Sequence, residues 1–282
     1  MSSSNSIPSK RATAHEEAFE DGINPISHVK SAGAMTISPE LFEKLYLTPK
    51  TNTVGDARRR FANPTPLGLM GFVIASLTYA MVLMGWGGAT TLVGVAGIFW
   101  FTGPILLLTA MIFEWIMGNF LSMMIMGMFA VYWLSFAILQ TPSWMIAQSY
   151  STTGSAAEGA ASKAFNAAIA LYLMVWGFWL FTTFIFTLKT NTIFASIFFF
   201  AFISSFVIGG AYWKVSTGDY GMAMTLQKTG AAIFFIVALL GYYITVVMMA
   251  AEMRMTLKLP VGDLSHFWPN SDISLADMEK QQ

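Results

Sequence analysis

Residues 90 to 139 form a stretch of fifty with one charged side chain, Glu114. A helix crosses the apolar core of a bilayer with about 20 residues, so this stretch must fold back on itself. Its break is Gly118-Asn119, a pair suited to a tight turn. Further apolar runs are set off by Gly87-Gly88, a loop from Thr141 to Lys163, the turn Lys189-Thr190-Asn191-Thr192, and a connection from Lys214 to Lys228. Six spans are predicted, over about residues 67–86, 90–113, 120–139, 165–188, 193–213 and 230–251. Only 11% of the residues are charged, where a soluble domain carries roughly a quarter. The expected fold is therefore an all-α integral membrane protein with one six-helix domain, residues 63–258, between an N-terminal tail (1–62) and a C-terminal tail (259–282).

The charges collect in the N-terminal tail, which holds eight of the fifteen Lys and Arg and seven of the fifteen acids. This segment is expected to be largely disordered. Arg58, Arg59 and Arg60 stand just before the first span, so cytoplasmic termini are expected from the bias of basic residues toward that side. Zero cysteines exclude thiolate chemistry, and His15, His28 and His266 all lie in the tails, so no metal site, cofactor or catalytic constellation is expected in the membrane. A net charge of zero gives no argument for nucleic acid, and no nucleic-acid partner is expected.

The first span is announced by Asn63-Pro64-Thr65-Pro66-Leu67-Gly68-Leu69. Proline lacks an amide donor and suits only a helix's first turn, so the spacing predicts Thr65 as N-cap and Pro66 as first helical residue. The positive end of the helix dipole then lies at the membrane boundary, where it attracts anions. Gly71 and Ala75, Gly94 and Gly97, and Gly209 and Gly210 read as close-packing positions between helices. Trp86, Trp115, Trp144 and Trp213 fit an interfacial belt, whereas Trp100, Trp133, Trp176 and Trp179 lie deeper. Among hydroxyls such as Ser76, Ser204 and Ser205, most are expected to bond their own helix's carbonyls. Glu114 and Glu252, near span ends, read as solvated or snorkelling side chains.

These residues carry a resemblance. Asn63 to Phe72 is similar to the signature of the acetate uptake transporter family, the YaaH-like bacterial acetate/succinate permeases and their fungal acetate and ammonia-export relatives. The family usually reads Asn-Pro-Ala-Pro-Leu-Gly-Leu, so Thr65 is a departure. Gly118-Asn119 after Glu114, Trp133-Leu134, Trp176-Gly177, Thr187-Leu188-Lys189 and Leu259 to Leu264 extend the similarity over about residues 61 to 264, and the long N-terminal tail resembles the fungal branch.

The resemblance implies a multi-pass protein of the plasma membrane, assembled as a homo-hexamer with a pore in each protomer, that moves acetate and other short monocarboxylates with protons. It places Asn63, Pro64, Pro66, Leu67, Gly68 and Gly71 along the substrate pathway and Phe72 at an apolar constriction. The family's third-helix Tyr at that constriction falls on Phe129, which has no hydroxyl, and its fifth-helix Leu falls on Ala201 or Phe202. Glu114 and Asn119 are further candidates for the pathway or for coupling. In the resulting mechanism, acetate is drawn to free amides and Asn63 at the start of the first span, and its methyl group then passes Phe72 and Phe129. Asn63→Ala would accordingly abolish uptake. An ammonium or ammonia exporter and a non-transporting sensor or structural relative are the competing readings.

Overall fold

The computed structural model describes residues 61–256 and 259–268. The triple arginine, Lys258, His15 and His28, and the expected disorder of the N-terminal tail lie outside the described residues, as does the C-terminal tail beyond Trp268. Within them are six helices long and apolar enough to cross a membrane. In chain order the helices are α1 (Thr65–Met84), α2 (Gly103–Ile116), α3 (Phe120–Gln140), a short α4 (Ala156–Ala161), α5 (Lys163–Thr187), α6 (Thr192–Ser216) and α7 (Tyr220–Glu252). The six-span, all-helical expectation is met.

Two boundaries differ from the sequence reading. Span two was expected from residue 90, but its α-helix begins at Gly103, after a π turn over Ile98–Thr102. Pro104 has no N–H to give the carbonyl one turn earlier, and the wider turn forms where that ladder fails. Gly94 and Gly97 fall in the irregular segment before it, with nothing within 4 Å of where a Cβ would stand, so they are not packing positions. Span six starts at Tyr220, not at residue 230, and the Lys214–Lys228 connection shrinks to Thr217–Asp219. Asp219 caps the helix by accepting a bond from the Met222 amide (3.1 Å). At 33 residues α7 is about 50 Å long, well beyond a bilayer's apolar core of about 30 Å, so its first turns can carry Gln227 and Lys228.

Helix α1 packs between α2 and α7, α3 lies against α2, and α6 lies between α5 and α7. Large rings bridge α3 and α5: Tyr132 lies 5.0 Å from Trp176 and Phe129 5.7 Å from Trp179. Contact between α1 and its neighbours is close because it carries glycine there. A Cβ on Gly68 would stand 2.7 Å from Ala110 Cβ, and one on Gly71 2.8 Å from Leu106 Cβ.

Because the chain runs back and forth, Asn63, the Gly118 turn, the α5–α6 turn and the end of α7 share one end of the bundle, called here the Asn63 end. The opposite end is marked by Gly85, which stops α1 in a left-handed conformation (φ 81°). At the Asn63 end the segment Leu259–Leu264 is tied down. The Thr192 amide donates to the Gly262 carbonyl (2.8 Å), the Leu264 amide to the Thr190 carbonyl (3.1 Å) and the Tyr243 hydroxyl to the Pro260 carbonyl (2.7 Å). The first residues of the expected tail are thus part of the membrane domain.

Candidate functional site

Midway through the bundle the rings of Phe72 and Phe129 lie 4.7 Å apart, with Phe234 6.5 Å from Phe72 and Phe198 6.2 Å from Phe129. Four helices therefore meet in one aromatic cluster, at the place where a constriction is expected. Of the two residues considered on α6, Ala201 is buried and lines a cavity beside Phe129. Phe202, about 100° further round the helix, packs instead against Phe181 (5.3 Å) and Phe199 (5.5 Å), in a separate aromatic cluster. Phe198 supplies the α6 ring of the cluster around Phe72 and Phe129, and the small side chain of Ala201 leaves space beside Phe129.

That space is a cavity of about 30 Å³ on the Gly85 side of the rings. Tyr79, Tyr132, Trp176, Ser204, Ser205 and Ile208 line it. Ile208 also lines a second cavity of about 210 Å³ nearer the Gly85 end, with Tyr212, Gln227 and Leu83. The serines do not bond their own helix as expected. Ser204 donates to the Gly230 carbonyl of α7 and Ser205 to the Leu173 carbonyl of α5, both at 2.8 Å, so they hold three helices together. Thr182 and Thr183 do bond their own helix. Ser76 is fully buried with its hydroxyl unpartnered in this structure.

The Asn63 end is built differently. Thr65 is not the N-cap. Pro64 takes that position, and the Thr65 hydroxyl donates to Glu114, which is fully buried rather than solvated. Asn119 donates to the other carboxyl oxygen of Glu114 (2.6 Å) and is itself buried. Thr65 and Glu114 are 49 positions apart, so no local pattern marks the pair, and only the packing of α1 on α2 brings them together. Glu252, by contrast, is exposed as expected.

The first-turn amides of α1 are not free either. The Thr65 amide donates to Asn63 Oδ1 (3.0 Å), Pro66 has none, and those of Leu67 and Gly68 reach the Pro64 carbonyl (3.1 and 3.3 Å). The helix start that was expected to attract an external carboxylate has these amides bonded within the chain, and the Thr65 hydroxyl beside them donates to Glu114. Of the other motif residues, Gly68 and Gly71 are packing positions, Pro64 is buried in the turn, Pro66 is half-buried, and Leu67 points out of the bundle at 44% exposure. The contacts the motif makes seat α1 against its neighbours. Residues the sequence reading passed over, Tyr79, Tyr132 and Tyr212, line the cavities. The available signal was spacing: Tyr79 follows Phe72 by seven and Tyr132 follows Phe129 by three, both helical same-face intervals.

Comparisons with known proteins agree with this architecture. The solved structure of the bacterial acetate channel SatP is similar in fold, with a TM-score of 0.53 and 22% identity, over 72% of this chain and 99% of that one. Protein alcS of Aspergillus fumigatus is 35% identical over 243 residues, 83% of this chain and 87% of the relative. Acetate permease A of Emericella nidulans is 27% identical over 276 residues, 96% of this chain and 86% of the relative. The GPR1/FUN34/yaaH family profile matches residues 46–266, and the chain belongs to that family.

Proposed function

We propose that this chain moves acetate and related short monocarboxylates across a membrane through a pathway within each protomer. The observation that carries the reading is the ring constriction of Phe72 and Phe129 opening onto a cavity lined by Tyr79 and Tyr132. A solute with a methyl at one end and a carboxyl at the other suits a site with rings on one side and hydroxyls on the other. The name of acetate permease A supports the same substrate.

Proton linkage follows in this reading from the constriction itself. A bare carboxylate passing between phenyl rings would lose its hydration without a counter-charge, whereas the neutral acid crosses at far lower cost. Cytoplasmic termini, a plasma-membrane location and a homo-hexamer belong to the same proposal. Exposed apolar side chains such as Val175 (67%) and Phe178 (59%) on α5 fit cover by lipid or by a neighbouring protomer. Export of ammonium is disfavoured because neither cavity has a carboxylate in its lining to replace the ion's water.

The test is uptake of labelled acetate in cells lacking their own permeases, with propionate as competitor and external pH as variable. Saturable uptake that propionate inhibits and acidification stimulates is the expected result. Absence of uptake from protein present at the cell surface contradicts the proposal.

A further inference from the structure

Of the hydroxyls lining the small cavity, the phenols are the ones left without a partner among the described residues, and the indole N–H of Trp133, packed against Tyr79 and Tyr132, is likewise unpartnered. The Ser204 and Ser205 hydroxyls in the same lining are spent on backbone carbonyls, and Tyr172, next to Tyr132, shares its hydroxyl with Ser135. Tyr79, Tyr132 and Tyr212 make no hydrogen bond to any described residue, and they lie within electrostatic reach of one another. Tyr79 is buried (3% exposed) and lines the cavity, so a solute there is the partner its hydroxyl can meet. Its ring cannot swing away to find another. Phe136, Phe234 and Trp133 hold it edge-on at 5.2, 5.6 and 5.9 Å. Tyr132 is held as firmly, with Trp176 at 5.0 Å and Tyr172 stacked at 6.4 Å.

Their heights form a series. At 1.5 Å per residue, Tyr132 stands about 4.5 Å beyond Phe129, Tyr79 about 10 Å beyond Phe72, and Tyr212 about 16 Å beyond Ala201. Tyr79 and Tyr132 face the small cavity and Tyr212 the large one, with Ile208 common to both. A phenol donates to a carboxylate and can also accept from the O–H of the neutral acid, so the same groups serve both protonation states.

We propose that the hydroxyls of Tyr79, Tyr132 and Tyr212 form a binding site for the carboxyl group of a short monocarboxylate on the Gly85 side of the constriction, supplying the hydroxyl that Phe129 lacks. The site rests on the transport reading above and adds to it the place where the head group is held. The solute's carboxyl passes from Tyr212 past Ile208 to the Tyr79–Tyr132 pair, with its methyl group against Phe129 and Ala201.

Labelled acetate uptake distinguishes the two claims when wild type, Y79F, Y132F and the double variant Y79F/Y132F are compared at equal surface level, in cells lacking their own permeases. The double variant should raise the apparent KM for acetate about tenfold, each single variant should raise it by less, and Phe129→Tyr in the double background should recover part of the loss. An unchanged KM in the single variants, and in the double where it reaches the surface, overturns the phenol site and leaves the transport reading standing. Wild-type protein at the surface that takes up no short monocarboxylate overturns the transport reading, and the site with it.

Discussion

The Asn63 end and the middle of the bundle both bury polar side chains, but in opposite states. At the Asn63 end Thr65, Glu114 and Asn119 are bonded to one another, and the first-turn amides of α1 have their acceptors within the chain. Around the cavity the serines are spent and three phenols are left without a partner among the described residues. A saturated polar network stabilises a helix junction, whereas unsatisfied hydroxyls beside a void are suited to a visitor. The motif that is most recognisable in the sequence therefore packs and caps α1, and the less conspicuous tyrosines line the cavities on which the proposed pathway rests.

The sharpest way to break this contrast is at Glu114. Glu114→Ala would leave the Thr65 hydroxyl and the Asn119 amide buried without their carboxyl, a loss of about 3 kcal/mol or more. A large fall in the unfolding midpoint of the purified protein in detergent checks it. A variant of native stability that had lost only transport would move Glu114 from scaffold to pathway. Phe129→Leu acts on the other region. Widening the space next to Ala201 should raise propionate uptake relative to acetate by about tenfold, since one methylene in an apolar pocket discriminates by that order. Competition assays at matched surface level measure the ratio.

Asn63→Ala should have a smaller effect than the sequence first suggests. Its carbonyl oxygen caps the Thr65 amide, and losing such a cap costs about 1 kcal/mol, so uptake should be reduced and not abolished. Complete loss with normal membrane level and stability would place solute binding at Asn63. The smallest effect concerns Glu158, in the connection between α3 and α5. Hydroxyl bonds from Ser151, Thr153 and Thr152 and the Thr152 amide hold its carboxyl down at about 2. The folded value lies below the ordinary carboxylate value of 4.5, so the support it lends is complete above that value and is lost as the pH falls from there toward 2. The group is exposed, which keeps the effect local. Limited proteolysis at residues 151–155 should be unchanged from pH 7 to 5 and increase only below about 4, and in Glu158→Gln the loop should be equally susceptible throughout.

The spans were legible because apolar length and glycine turns are local properties of the chain. Gly118 ends a helix where the sequence places a break, and Gly85 ends α1 two residues before the expected Gly87-Gly88 break; both have positive φ. The start of α2 was not legible, since a π turn ahead of Pro104 cannot be told from continuous helix by hydropathy. The start of α7 was hidden because Gln227 and Lys228 read as loop, although a helix longer than the bilayer is thick can carry them. The constriction was half legible: Phe72 and Phe129 do meet, but choosing between Ala201 and Phe202 needed the rotation of α6. The burial of Glu114 and the partnerless phenols depend on which helices become neighbours, information that no single span contains.

The most direct test is to locate the solute. Bromoacetate, for which the chain has no cysteine to alkylate, can be bound to crystals of the protein and its bromine placed by anomalous diffraction. The account predicts the bromine, standing on the methyl carbon, against Phe129 and Ala201, with the carboxyl toward Tyr79 and Tyr132. Bromine at the first turn of α1 beside Asn63, with that cavity empty, would contradict it.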